Sequence, residues 1–327
     1  MPQAKIRLRS VASTKLKRFA STGTTVRPGD PPDAVKHGGN PASARPTGSC
    51  CPVPTPPPFR RRRLGRKLAR MRTQAKLTLD EAAKALYRTK STLHRLEKGE
   101  TILDVHLAKS MMDLYDQYDP DLVDQALRAR EPGWWTTYGI ENQGYIDVET
   151  EASDVRDLSP LIIPGLLQTT GYMRAMFEAH RLKRTKRWLE NDIRVRQIRQ
   201  ARLTDPDDPL RLHAIIEEAA LRKVVGSREV MREQLAHLLD MGKRPNVTIQ
   251  VVSNEQGVVD GMATAFTLLG FSGPDEPEVL YIEYLTGALH IEQERELREA
   301  RMTFGFVASR ALGPKDSVAL IERVLAE

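Results

Sequence analysis

The chain has 327 residues, 40% hydrophobic and 28% charged, with a net charge of +7. That is the make-up of a globular protein with room for about two domains. The longest apolar stretch, around Leu161 to Leu167, contains Pro164 and Gly165 and is too short to cross a bilayer. The basic first 30 residues lack the continuous apolar middle of a secretory signal, so no membrane is expected and the location expected is the cytoplasm. The two cysteines, Cys50 and Cys51, are adjacent, and the seven histidines form no i,i+4 pair, so no disulfide framework, metal or cofactor is expected.

The charge is unevenly spread. Residues 60–100 carry fourteen Lys/Arg against four Asp/Glu, net +10, whereas residues 101–327 carry 27 against 37, net −10. A compact basic block joined to an acidic body is the footprint of a polyanion-binding module attached to a second domain.

Residues 1–59 are rich in Pro, Gly, Ser, Thr and Arg and end in PVPTPPPF. They have no sustained apolar period and cannot bury enough surface to offset ordering entropy, so they read as a disordered basic tail. Arg60 to Arg63 come immediately before the first helical period. Arg61, Arg62 and Arg63 are therefore expected as an arm that contacts DNA phosphates, adding affinity without sequence information.

From Leu64 the pattern is helical, with Leu64, Leu68 and Met71 on one face. Thr78 followed by Glu81 is a capping box for a short helix that turns Ala82, Ala83 and Leu86 inward. After Tyr87 and Arg88, Thr89 caps a third helix that Gly99 ends. The small Ala83, a turn of three or four residues, and the Leu93/Leu96 pair together meet the geometry of a helix-turn-helix. With Leu93 and Leu96 inward, Lys90, Ser91, His94 and Arg95 face outward together with Thr92. Lys and Arg donate to guanine, and Ser and Thr suit base edges or phosphates, so a recognition helix over about Lys90–Lys98 is expected in the major groove of double-stranded DNA. Two further helices, over 104–118 and 120–130, complete a five-helix domain spanning 60–131.

Beyond it the chain is mixed. GYIDVETEA reads as a strand or a helix entry. PLIIPGLLQTT reads as an apolar core-packing loop, with a ligand or partner pocket as the alternative, leading into two helices. Leu210 to Ile216, NVTIQVVS, ATAFTLLGF and EVLYIEY read as strands. Ser227 caps a helix, and two helices, roughly 293–311 and 315–326, close the chain. Trp134 and Trp135 are expected to plug the junction between domains, and the basic run at 181–188 to be a solvated helix start. His213 with Glu217 and Glu218 has no accompanying nucleophile or oxyanion motif, so no enzyme is expected. The fold class is thus α+β, an all-α helix-turn-helix domain followed by a mixed α/β C-terminal domain over 132–327.

Residues 64–100 resemble the Cro/C1-type (XRE) helix-turn-helix. GWW at 133–135, YIDVETEAS, PLIIPGLLQT, IIEEAAL, VMREQLAHLL, RPNVTIQVV and YIEYLTG resemble, in the same order, the WhiJ-type, antitoxin-like regulators of actinobacteria. The resemblance implies base contacts from Lys90, Ser91 and Arg95, Thr92 near a phosphate, and an Arg72–Glu97 pair between the first and third helices. It also implies a sequence-specific transcriptional regulator whose C-terminal domain forms a homodimer or receives a small partner protein encoded nearby. The alternative is an antitoxin-like protein acting mainly through that partner. Members begin shortly before the first helix, which implies a natural start near Val53. They also place Gly where Lys76 and Tyr87 stand here, positions at which positive φ is common and a side chain is costly, and an apolar residue where Arg88 stands.

Overall fold

In the computed structural model, residues 57–140, 144–180, 185–273 and 276–327 are described. The expected disordered tail up to residue 56, with Cys50 and Cys51, lies outside them, as do residues 181–184 of the basic run.

The first part is five helices, α1 (Phe59–Gln74), α2 (Leu79–Ala85), α3 (Lys90–Glu97), α4 (Val105–Tyr115) and α5 (Leu122–Arg128). Local chemistry sets their ends. Thr78 and Glu81 form the reciprocal capping box of α2, and the side chains of Thr89 and Asp104 cap α3 and α4 by accepting from Thr92 and His106 amides. The C-termini of α1, α2 and α3 share one closing device. Lys76, Tyr87 and Gly99 are left-handed, at φ 59°, 52° and 72°. In each, the next residue's N–H reaches back to a carbonyl five positions earlier, as in Arg88 N–H to Ala83 O at 2.8 Å. The inward faces of all five helices merge in one core of Leu64, Leu68, Leu93, Leu96, Met111 and Leu122 with their neighbours.

The second part comprises α6 (Tyr145–Glu151), β1 (Asp154–Ser159), α7 (Thr170–Glu178), α8 (Lys186–Ala201), β2 (Arg211–Glu217), α9 (Glu218–Arg222), α10 (Arg228–Met241), β3 (Val247–Val252), β4 (Phe266–Gly270), β5 (Val279–Tyr284), β6 (Gly287–Ile291), α11 (Glu294–Arg310) and α12 (Pro314–Ala326). The strands form one mixed sheet in the order β3-β2-β1-β4-β5-β6. β1, β2 and β3 are parallel, and β4, β5 and β6 add antiparallel from the β1 side. Strand alternation sends Leu212, Ala214 and Ile216 to one face, into a core shared with α10 and α12. It sends Leu158, Ile215 and Leu280 to the other face, against Leu297, Phe304 and Val307 of α11. The sheet is therefore a middle layer between helices, as its parallel half requires.

GYIDVETEA is a helix, α6, and two strands are additional to those expected. β1 has only Val155 and Leu158 as large apolar residues among charged ones, and β6 is a short edge strand with polar neighbours. Both owe their conformation to the strands beside them. The boundary at residue 60 is also corrected. Phe59 opens α1, is fully buried, stacks on Phe271 at 4.9 Å, and belongs to the C-terminal core. The loop after β1 serves the core through Ile163, Leu166 and Leu167, while Leu161 and Ile162 remain exposed. His213 is a packing residue: it meets Phe304 edge-on and hydrogen-bonds Gln250 at 2.7 Å, and Glu218 is held by Arg222 and the Asn254 N–H.

Candidate nucleic-acid interface

α2 and α3 are joined by a tight turn, and Ala83, Leu93 and Leu96 are all buried between helices. α1 crosses α3 so closely that a Cβ on Gly65 would stand 2.4 Å from the Glu97 carbonyl oxygen. Gly65 is therefore required despite the helix propensity it sacrifices. Gly99 is under two constraints, its positive φ and the Arg61 and Arg62 backbone 2.6 Å from where a Cβ would lie. Gly65, inside a strong helical period, is a further sign of the α1–α3 approach beside the expected Arg72–Glu97 pair.

Arg72 and Glu97 lock the same crossing. Arg72 Nε donates to Glu97 Oε1 at 2.6 Å and Nη2 to Oε2 at 2.9 Å, with only 16% and 8% of the two side chains exposed. The expected pair is present, and it is largely buried rather than superficial. Burial first, and then the Glu97 charge, push the Tyr115 hydroxyl up to about 12.

With α3 held in this way, its outer face carries Lys90, Ser91, His94 and Arg95, all exposed, and Thr92 is half-buried. Lys90 Nζ pairs with Asp80 at 2.7 Å and Arg95 Nε with Glu100 at 3.4 Å. Both pairs are more than half exposed on the cationic side, where such contacts are weak and readily exchanged for another acceptor. Thr89 and Thr92 share a hydroxyl contact of 2.8 Å at the start of the helix. The structure thus brings Thr89, Lys90, Ser91, Thr92, His94 and Arg95 to one surface.

Arg61, Arg62 and Arg63 are not part of it. They do not precede the first helix as an arm; they lie inside α1, and their side chains face the protein. Arg61 donates to the Ala129 carbonyl at 3.0 Å, Arg62 and Arg66 share the Glu292 carboxylate, and Arg63 lies 3.0 Å from Glu276 and 3.7 Å from Glu151. Arg60 binds Glu151 at 2.6 Å. The guanidinium groups of Arg62 and Arg66 also lie over the Phe59 ring. α1 has no cap of its own at Pro58. Asp147 of α6 supplies one, accepting the Phe59 N–H at 2.6 Å, and burial raises its carboxyl to about 6. Much of the basic block is therefore consumed by acids of the same chain. The opposite net charges of the two regions were the only hint of this in the sequence, and they do not say which acid meets which arginine.

Trp134 and Trp135 pack on the C-terminal part. Trp135 is buried, Trp134 donates to Thr150 of α6, and Asn191 of α8 donates to the Tyr138 carbonyl.

A five-helix unit with an exposed, donor-rich second helix of a helix-turn-helix is the architecture of a DNA-binding regulator, and a family model described as a helix-turn-helix domain matches residues 63–126. The chain belongs to the family described as a domain of unknown function (DUF5753), whose model matches residues 143–323, over half of the sequence. Comparison with curated proteins and with solved structures gave no match. Among the described residues, no helix is long and apolar enough to cross a membrane.

Proposed function

We propose that this protein is a sequence-specific transcriptional regulator of the XRE type that inserts α3 into the major groove of double-stranded DNA. The observation that carries this reading is the outer face of α3, where Lys90, Ser91, His94 and Arg95 are exposed together on a helix fixed by the Arg72–Glu97 pair. Arg95 and Lys90 are the donors suited to guanine, Ser91 is a base-edge or phosphate contact, and the Thr89/Thr92 hydroxyls lie at a helix N-terminus suited to a phosphate. The C-terminal domain serves dimerisation or receives a small partner protein, in the manner of WhiJ-type, antitoxin-like regulators. The protein works by binding, without catalysis, in the cytoplasm.

Selection of bound duplexes from a random library by the full chain tests the reading. One sequence should be enriched, and Arg95→Ala should relax the preference at one base position by about 1–3 kcal/mol. No enriched sequence, or an unchanged preference in Arg95→Ala, refutes it. Light scattering of the chain alone and with co-purified partners separates a homodimer from a partner complex.

A further inference from the structure

A cleft of about 800 Å³ opens at the carboxyl end of β1, beside the start of β4, where the sheet changes from parallel to antiparallel. Clefts outside the carboxyl ends of parallel strands are the usual ligand positions of open α/β sheets, and this volume suits a drug-sized molecule. The walls are aromatic. Tyr145 and Tyr281 stand in contact at 4.8 Å, with the Arg199 guanidinium 5.0 Å over the Tyr145 ring, and Phe177 and Trp188 form a second pair at right angles, 6.2 Å apart. Leu161 and Ile162, apolar yet 64% and 39% exposed, also line it.

The charged groups of the cleft are not equivalent. Arg199 is bound by Glu149 through two hydrogen bonds of 2.7 Å. Arg196 donates to Gln168 and lies over the Phe177 ring at 4.8 Å; burial, and then the Arg199 charge, lower it to about 10, against the opposing field of Asp192, Glu149 and Glu283. Asp157, at the end of β1, is different. It accepts the Ser159 hydroxyl at 2.6 Å and has no cation within ion-pairing distance among the described residues. Its charged neighbours, Glu149 and Arg199, largely neutralise one another, and burial holds its carboxyl up at about 6. A carboxylate left without a counter-charge among four aromatic rings is a site that a cation completes, through the ion pair and through attraction to the ring faces.

We propose that this cleft binds a small organic cation, an amine with an aromatic or apolar body, with its ammonium on Asp157 and its body between the Tyr145/Tyr281 and Phe177/Trp188 walls. Tyr145 and Ile146 of the cleft belong to α6, the helix whose Asp147 caps α1, so the occupant lies one helix away from the DNA-reading domain.

Saturation-transfer NMR on the full chain, with 2-naphthylmethylammonium and 2-naphthoate as probes of one shape and opposite charge, tests the proposal. The cation should bind and the anion should not. Asp157→Asn should weaken the cation at least about tenfold, and Trp188→Ala should weaken it without altering the charge. Both variants are checked for native secondary structure by circular dichroism, and Asp157→Glu, which keeps the charge, should retain more binding than Asp157→Asn. No binding of the cation, equal or tighter binding of the naphthoate, or cation binding indifferent to both Asp157→Asn and Trp188→Ala overturns it.

Discussion

Tyr87 stands at the left-handed position that ends α2, at φ 52°, with 92% of its surface exposed. Its N–H donates to the Lys84 carbonyl, a bond any residue but proline would keep. A non-glycine side chain in this conformation costs about 1–2 kcal/mol, and glycine's extra unfolded-state entropy returns about 0.5–1 kcal/mol of that. Tyr87→Gly should therefore stabilise the protein by about 0.5–1 kcal/mol, and Tyr87→Ala, which keeps a Cβ, should not. For a chain of this size, such a gain raises the midpoint of thermal unfolding by about 1–4 °C. Urea and thermal unfolding of wild type and the two variants, followed by circular dichroism, measure it. If Tyr87→Gly is no more stable than Tyr87→Ala, the strain assigned to this turn is absent and the reasoning fails.

Three other outcomes are expected. Removing one half of the largely buried Arg72–Glu97 pair, as in Glu97→Ala, should cost about 2–4 kcal/mol, whereas replacing both residues by Met should cost less, because no unpaired charge remains; a double-mutant cycle by urea unfolding reads the coupling. Because Arg62 and Arg63 face Glu292, Glu276 and Glu151, replacing both by Ala should destabilise the chain by about 1–2 kcal/mol. It should also change the salt slope of DNA binding by less than about one phosphate contact; a slope flattened by two contacts would restore these arginines to the DNA surface. Asp157, with an ordinary value of 3.8 raised to about 6 when folded, binds its proton more tightly in the native state. Its unfavourable effect is therefore absent below about pH 4 and grows as pH rises through about 6. The difference corresponds to at most about 3 kcal/mol, less because the group opens to the cleft. Asp157→Asn should accordingly be more stable than wild type at neutral pH and equal to it in acid, as urea titrations across that range would show.

What could be read from the sequence was decided within a few residues of chain. Thr78 with Glu81, Thr89, and the left-handed Lys76, Tyr87 and Gly99 act on backbone groups no more than five positions away, and the spacing of Leu93 and Leu96 settles which side of α3 looks outward. The helix-turn-helix was legible for that reason, and so were the strands rich in branched residues, such as β3. β1 and β6 were not, because a strand with few apolar residues becomes a strand through its neighbours. The same limit governs the arginines. Arg62 finds Glu292 across 230 positions and Phe59 receives its cap from Asp147 across 88, and nothing local distinguishes those carboxylates from the other acids of the C-terminal part. Local chemistry determined the reading helix; tertiary packing alone decided which cations remain available to DNA, and among the described residues it left Asp157 without an ion-pair partner in an aromatic cleft.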